Sequence, residues 1–150
     1  MPAKKTSKKT ATKRAVARKR SVEVRQTIVD DFAIIPINNE TLTLTVIIGD
    51  IDQTGSSRIE IADEGLFPPQ HIDGSFNKLA IEKCKKLDGK TLLLITSITD
   101  TNNNTDNNRT EVTMKLHAGE EILYVRKMQS DVKSEGDTET YIFNLKMHGF

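Results

Sequence analysis

The segment after residue 49 carries oxygen-bearing side chains at a spacing used by calcium-binding loops. Asp50, Asp52 and Thr54, followed by Gly55, match the first half of an EF-hand loop, whose alternating oxygen ligands surround the ion. The twelfth position of such a loop needs a bidentate acid, but Ile61 stands there, and the flanking segments have strand patterns. Because aspartate and glycine are also common in hairpin turns, we predict a turn with no metal. Asp50, Asp52 and Thr54 remain the alternative metal ligands.

Cys84 is the single cysteine of the chain, and a nucleophilic role would require a histidine nearby as base. His71, His117 and His148 are far apart in sequence, and neither zinc-site spacing nor a catalytic motif links them. A lone cysteine among apolar residues is more typical of a small buried side chain. The sequence shows no nucleophile elbow, phosphate-binding loop or dinucleotide fingerprint. We therefore predict that the protein is not an enzyme and has no catalytic residues and no cofactor.

Charge is distributed unevenly between the first 20 residues and the rest of the chain. The whole chain has 22 basic and 21 acidic residues, for a net charge of +1. Residues 1–20, the basic segment, hold nine of the basic residues and no acid, which leaves 13 basic against 21 acidic residues in 21–150. The body of the protein therefore has a charge of −8, and such asymmetry indicates an interaction segment. The nine cations are Lys4, Lys5, Lys8, Lys9, Lys13, Arg14, Arg18, Lys19 and Arg20.

The composition of the basic segment predicts a flexible arm that binds a polyanion. Its residues cannot bury enough apolar surface to offset the entropy of ordering, so we expect it to be disordered in isolation. Nine cations attract a phosphate backbone through counterion release, and without aromatic residues they cannot stack on bases. In composition the segment resembles the lysine- and alanine-rich tails of histone-like proteins. The alternatives to nucleic acid are an acidic protein surface, including the body of another copy, a localisation signal and a solubilising leader.

Residues 41–48 show the clearest pattern of secondary structure. Leu42, Leu44, Val46 and Ile48 share one parity, and the other parity is mostly threonine. Because a strand sends alternate side chains to opposite faces, this segment is expected to present an aliphatic face to a core and a threonine face to solvent. The segment therefore predicts a strand around which the other apolar segments can be arranged.

Comparable apolar segments recur between turn residues, which predicts an all-β protein. They lie at residues 22–29, 32–37, 58–62, 91–99, 111–116, 122–128 and 140–147. We expect the first to end at Asp30 and Asp31, and residues 63–74 to form a loop. Residues 76–87 stay open between a short helix and a strand. About seven or eight short strands favour an antiparallel β-sandwich, jelly-roll or immunoglobulin-like, formed by residues 21–150 as a single domain.

The residues from Leu66 to His71 could form a binding loop. Phe67 is followed by Pro68 and Pro69, which stiffen the chain and could present the aromatic ring to a protein partner. The alternative is that Leu66 and Phe67 tuck under the sheet while the prolines stiffen a turn, and we favour this alternative. Phe67, Pro68 and Pro69 are retained as candidate partner-binding residues.

The absence of apolar stretches limits the location of the protein. No apolar run approaches the ~20 residues that span a bilayer, and the basic N-terminus lacks the apolar part of a secretory signal. The single cysteine cannot form an intramolecular disulfide, which fits a reducing compartment. We predict a cytoplasmic protein, or one within a particle assembled in the cytoplasm, and no membrane partner.

Together these features predict a structural or interaction protein whose acidic β body and basic arm engage nucleic acid or an acidic assembly partner. A homo-oligomer, or a subunit of a nucleoprotein particle such as a capsid or head-associated protein of a virion, would fit this architecture, although a fold by itself does not fix function. A ligand- or protein-binding sandwich with an incidental basic leader is the alternative. An enzyme without a recognisable motif is the third.

Overall fold

Alternating apolar side chains make strands of nearly all the chain that the structure describes. The computed structural model describes residues 24–49, 53–62, 65, 67–100, 109–131 and 136–150. Within these residues it has nine strands and one 3-10 turn (Cys84–Lys86), so the all-β prediction is confirmed. The strands are β1 (Val24–Ile35), β2 (Thr41–Ile48), β3 (Gln53–Ile61), β4 (Gln70–Asp73), β5 (Phe76–Lys83), β6 (Thr91–Asp100), β7 (Arg109–Ala118), β8 (Glu121–Asp131) and β9 (Thr138–Gly149).

The strands form two sheets that pack as a sandwich. The first sheet has five strands in the order β1-β9-β6-β3-β4, and the second has four in the order β5-β2-β7-β8. The paired strands run antiparallel with one exception, because β1 lies parallel to β9. The N-terminal strand therefore pairs with the C-terminal strand at an edge of the five-stranded sheet.

The first strand is longer than predicted, and the expected break at Asp30 and Asp31 does not occur. β1 keeps an unbroken register with β9 from Val24↔Thr138 to Ile35↔Gly149. Both carboxylates find partners without leaving the ladder, since Asn144 donates a hydrogen bond to Asp30 and Tyr124 donates one to Asp31. Part of the predicted loop 63–74 is also a strand, because β4 adds to the edge of β3.

Residues 76–83 form a strand, and helical geometry is limited to the turn at Cys84–Lys86. Two bulges explain why the apolar spacing resembled a helix. Leu44 pairs with Leu79 and Val46 with Phe76, so two residues of β5, Asn77 and Lys78, oppose the single residue Thr45 of β2. This extra residue lets both Phe76 and Leu79 pack against the core although their spacing is odd.

The core lies between the two sheets and contains the inward parity of each strand. The apolar parity of β2 is buried as predicted: Leu42, Leu44 and Val46 have no exposed surface. Opposite them the five-stranded sheet contributes Tyr141, Phe143 and other alternate residues of β9, β6 and β3. One continuous cluster of buried apolar side chains results, and it fixes which faces of the sheets remain outside.

Candidate interaction surfaces

The outer face of β1 carries large apolar side chains that no other described residue covers. Ile28, Phe32 and Ile34 are 61%, 59% and 49% exposed. The register places Ile142 of β9 beside Ile28, and Ile95 of β6 beside Ile142, so the apolar row crosses three strands. These five outward side chains form what we call the β1 face. A contiguous exposed apolar patch is typical of an interaction surface, whereas isolated exposed residues are not.

Two charged side chains of opposite sign lie within the β1 face. Asp30 follows Ile28 on the outward parity of β1, and Lys146 is the register partner of Phe32 on β9. Asp30 accepts a hydrogen bond of 2.9 Å from Nδ2 of Asn144. Within the described residues neither Asp30 nor Lys146 forms an ion pair. The patch therefore contains one acid and one base that form no ion pair within the described residues.

The inward side of β1 is fastened to β8 of the other sheet through Asp31. The Tyr124 hydroxyl donates a hydrogen bond of 2.7 Å to Oδ2 of Asp31, and a guanidinium nitrogen of Arg126 lies 3.6 Å from the same oxygen. The Tyr124 hydrogen bond, the backbone N–H of Phe32 and the charge of Arg126 hold the pKa of Asp31 below its usual value. Burial and the contact with Asp31 raise the pKa of Tyr124. These contacts join the edge strand β1 of the five-stranded sheet to the edge strand β8 of the four-stranded sheet.

A second polar cluster fixes the beginning of β1. Glu139 of β9 is 1% exposed and accepts a hydrogen bond from the Thr27 hydroxyl, while Nε of Arg25 lies 4.0 Å from its other oxygen. Arg25 also donates a hydrogen bond of 2.6 Å to the backbone carbonyl of Asp131 on β8. β1 is thus anchored where it begins, three residues after the basic segment ends.

The predicted polyanion-binding and metal-binding residues are only partly within the described chain. The nine cations of the basic segment lie outside it, as do Asp50 and Asp52. Thr54 lies in β3 rather than in a turn, and it lines a shallow groove of about 360 Å³ with hydroxyl side chains. No group of three or more His, Cys, Asp or Glu residues within the described ranges could hold a metal ion. The groove that Thr54 lines is also lined by Gly55, Ser56, Asp73, Ser97 and Thr99.

The proline segment lies at the edge of a larger groove. Phe67 is half-buried and packs against the core, whereas Pro68 and Pro69 are exposed. The three residues line a groove of about 770 Å³ together with Glu60 and Ile61. Leu66 lies outside the described residues.

The structure does not bring Cys84 together with a histidine. Cys84 has no exposed surface, and burial raises the pKa of its thiol, which lowers the fraction of reactive thiolate. His71 lies on β4 beside Asp73, at 3.4 Å, and His148 on β9 contacts the Phe32 ring. His117 is buried on β7, and none of the three histidines hydrogen-bonds to Cys84 within the described chain.

The sequence prediction missed the β1 face. Its signal is present in the sequence, because β1 is apolar on both parities: Val29 and Ile35 point inward, while Ile28 and Ile34 point outward. A strand with two apolar faces is usually central in a sheet. Only the three-dimensional structure shows that β1 is an edge strand, so that its second face stays exposed.

No protein-family model, curated protein or solved structure matches this chain. In the part of the chain that the structure describes, no helix is long and apolar enough to cross a membrane. The geometry of the surfaces and the charge of the basic segment therefore carry the functional interpretation.

Proposed function

We propose that this protein is a non-enzymatic structural subunit whose body makes protein contacts through the β1 face and whose basic segment binds nucleic acid. One observation supports the proposal above the others. Nine cations are followed, after three residues, by the strand that presents Ile28, Phe32 and Ile34 to solvent. A nucleic-acid-binding segment and an unpartnered contact face are therefore adjacent in the chain, as a subunit of a nucleoprotein particle would require.

Charge favours nucleic acid as the partner of the basic segment. The segment carries +9 and no acid, and phosphate groups are spaced closely enough to engage many cations at once. Without aromatic side chains it would contact the backbone and show little sequence preference. Association of the bodies would place several basic segments on one nucleic acid, and linked binding of this kind raises the overall affinity well above that of one segment.

The salt dependence of binding to a duplex tests this proposal with a matched control. In one variant of the full chain Lys4, Lys5 and Lys8 become Gln; in the control the exposed body residues Lys83, Lys85 and Lys86 become Gln. Both variants lose three positive charges. If all three lysines contact phosphates, the Lys4, Lys5 and Lys8 variant should have a slope of log K against log salt that is less negative by about 2.7. The control should leave the slope unchanged, and equal effects of the two variants would contradict the proposal.

The groove beside Pro68 and Pro69 favours a second candidate function, a ligand- or protein-binding sandwich in which the basic segment is incidental. Its volume of about 770 Å³ lies within the range of ligand sites, and Phe67, Pro68 and Ile61 make part of its lining apolar. Replacing Pro68 and Pro69 by Ala should weaken the binding of a partner in this groove and leave nucleic-acid binding unchanged. Capture of a specific ligand by the wild type alone would favour this second function.

A further inference from the structure

We propose that the partner of the β1 face is a second copy of this chain, bound in a two-fold symmetric pair in which Asp30 of each copy meets Lys146 of the other. This inference rests on the proposed function, because it names what the contact face binds. Its support comes from the apolar row, from the two charges within it and from the other edges of the sandwich.

The charges of the β1 face are complementary to the same face on another molecule. Asp30 and Lys146 are diagonal neighbours on adjacent strands, since Asp30 pairs in register with Asn144 and Lys146 with Phe32. A two-fold contact places the same patch on both molecules, so residue i of one meets residue j of the other and the reverse. An axis that passes between the two charges brings each carboxylate to the partner's ammonium group.

The apolar part of the face suits burial in such a pair. Phe32 is 59% exposed although its ring contacts His148, with ring centres 5.9 Å apart. It lies beside both charges, close to the axis, where the two rings would approach each other. Burial of aromatic and aliphatic side chains at the centre, with charges around them, is the usual arrangement of a specific interface.

The other edge strands carry features that oppose strand pairing with another molecule. β4 has four residues, β5 has two bulges with Lys78 at a φ of 50°, and β8 carries Arg126 and Lys127. Short edges, bulges and cationic side chains are the means by which sheets avoid association. β1 has an uninterrupted register, and its seam with β8 is closed by Asp31 and Tyr124. The outer face of β1 remains open to contact with another molecule, since Ile28, Phe32 and Ile34 on it are exposed.

Charge exchange tests the pairing directly in the full-length, nuclease-treated protein. The wild type should have twice the 16.8 kDa mass of one chain by light scattering, and dilution should dissociate it. Asp30→Lys and Lys146→Asp should each raise the dissociation constant of the pair by about tenfold or more, because each places like charges together. The double variant Asp30→Lys/Lys146→Asp should recover most of the loss.

A second variant tests the apolar part of the face. Ile28→Ser/Phe32→Ser should be monomeric with an unchanged circular dichroism spectrum, because both side chains are mostly exposed. A wild type that is monomeric at every concentration would overturn the inference. A double charge exchange whose dissociation constant is as high as those of the single variants would also overturn it. A wild type that is monomeric but still binds nucleic acid would contradict the proposed pair and leave the proposed nucleic-acid binding intact. A dimer that binds no nucleic acid would support the pair and contradict the proposed function.

Discussion

The Tyr124 hydroxyl reaches across the gap between the two sheets and donates a hydrogen bond of 2.7 Å to Asp31. Asp31 is an acid on the inward parity of β1, between Val29 and Ala33, where a chain of this pattern would normally place an apolar residue. The contact gives the carboxylate a partner and ties the edge strand that carries the β1 face to the opposite sheet. The position of the proposed interface therefore depends on this pair.

Replacing Tyr124 by Phe should weaken the attachment of β1. The variant keeps the ring but leaves the Asp31 carboxylate without its principal hydrogen-bond donor, so the midpoint of urea unfolding should fall and amide exchange in β1 should accelerate. Glu121→Gln, which changes an exposed acid at the beginning of β8, serves as the control. Unaltered exchange in β1 of the Tyr124→Phe protein would show that the hydrogen bond does not hold this strand.

The stability of the protein should depend on the protonation of Asp31. Its pKa is lower in the folded state than in the unfolded state, so its contribution is fully present above the ordinary carboxyl pKa of about 3.9. The contribution declines as the pH falls through that value and is lost below the folded pKa. The difference in unfolding midpoint between wild type and Asp31→Asn should therefore be greatest near pH 7 and should decrease as the pH falls below about 3.9. A difference that does not vary with pH would be inconsistent with the shift.

Tyr141 should ionise only at high pH, and its ionisation should destabilise the folded protein. Its hydroxyl shares a hydrogen bond of 2.7 Å with Thr110 inside the core, and burial raises its pKa to about 12. The raised pKa favours the neutral form, so the stabilisation is intact below the unfolded pKa of about 10 and is lost as the pH rises through 12. Absorbance at 295 nm during alkaline titration should show no Tyr141 ionisation near 10 while the protein remains folded. A Tyr141 signal titrating near 10 in the folded protein would refute this prediction.

Truncating an aliphatic side chain should lower the free energy of unfolding far more in the core than on the surface. Leu44→Ala removes a fully buried side chain of β2 and should lower the free energy of unfolding by about 2–5 kcal/mol. Ile28→Ala, at a site 61% exposed, should change it by less than about 0.5 kcal/mol in the monomer. Chemical denaturation measures both. A large loss at Ile28 would mean that the β1 face is part of the core rather than a contact surface.

Local patterns were sufficient for the strands whose two faces differ. Leu42, Leu44 and Val46 are buried as their parity predicted, because a threonine face on the other side of β2 leaves one way to orient the strand. Patterns were insufficient where tertiary pairing overrides them. The bulges in β5 produce helix-like spacing at Phe76 and Leu79, and a carboxylate at Asp31 is tolerated only because Tyr124, distant in sequence, reaches it.

The contact face could not be located from sequence because strand order is not a local property. The parallel pairing of β1 with β9 joins the first and last of the described strands, and no short-range signal encodes it. The nine cations, in contrast, were evident from composition alone. The prediction of a polyanion partner therefore came from charge, and the position of the β1 face came from the structure.

Binding of duplex DNA across a salt series, by the full chain and by a variant with all nine cations of the basic segment changed to Gln, tests the proposed function most directly. The wild type should bind with a steep slope of log K against log salt, up to about −8 if every cation contacts a phosphate. The variant should lose the binding and its salt dependence while the sandwich stays folded. Equal affinity and equal slope for the two proteins would contradict a nucleic-acid-binding role for the basic segment.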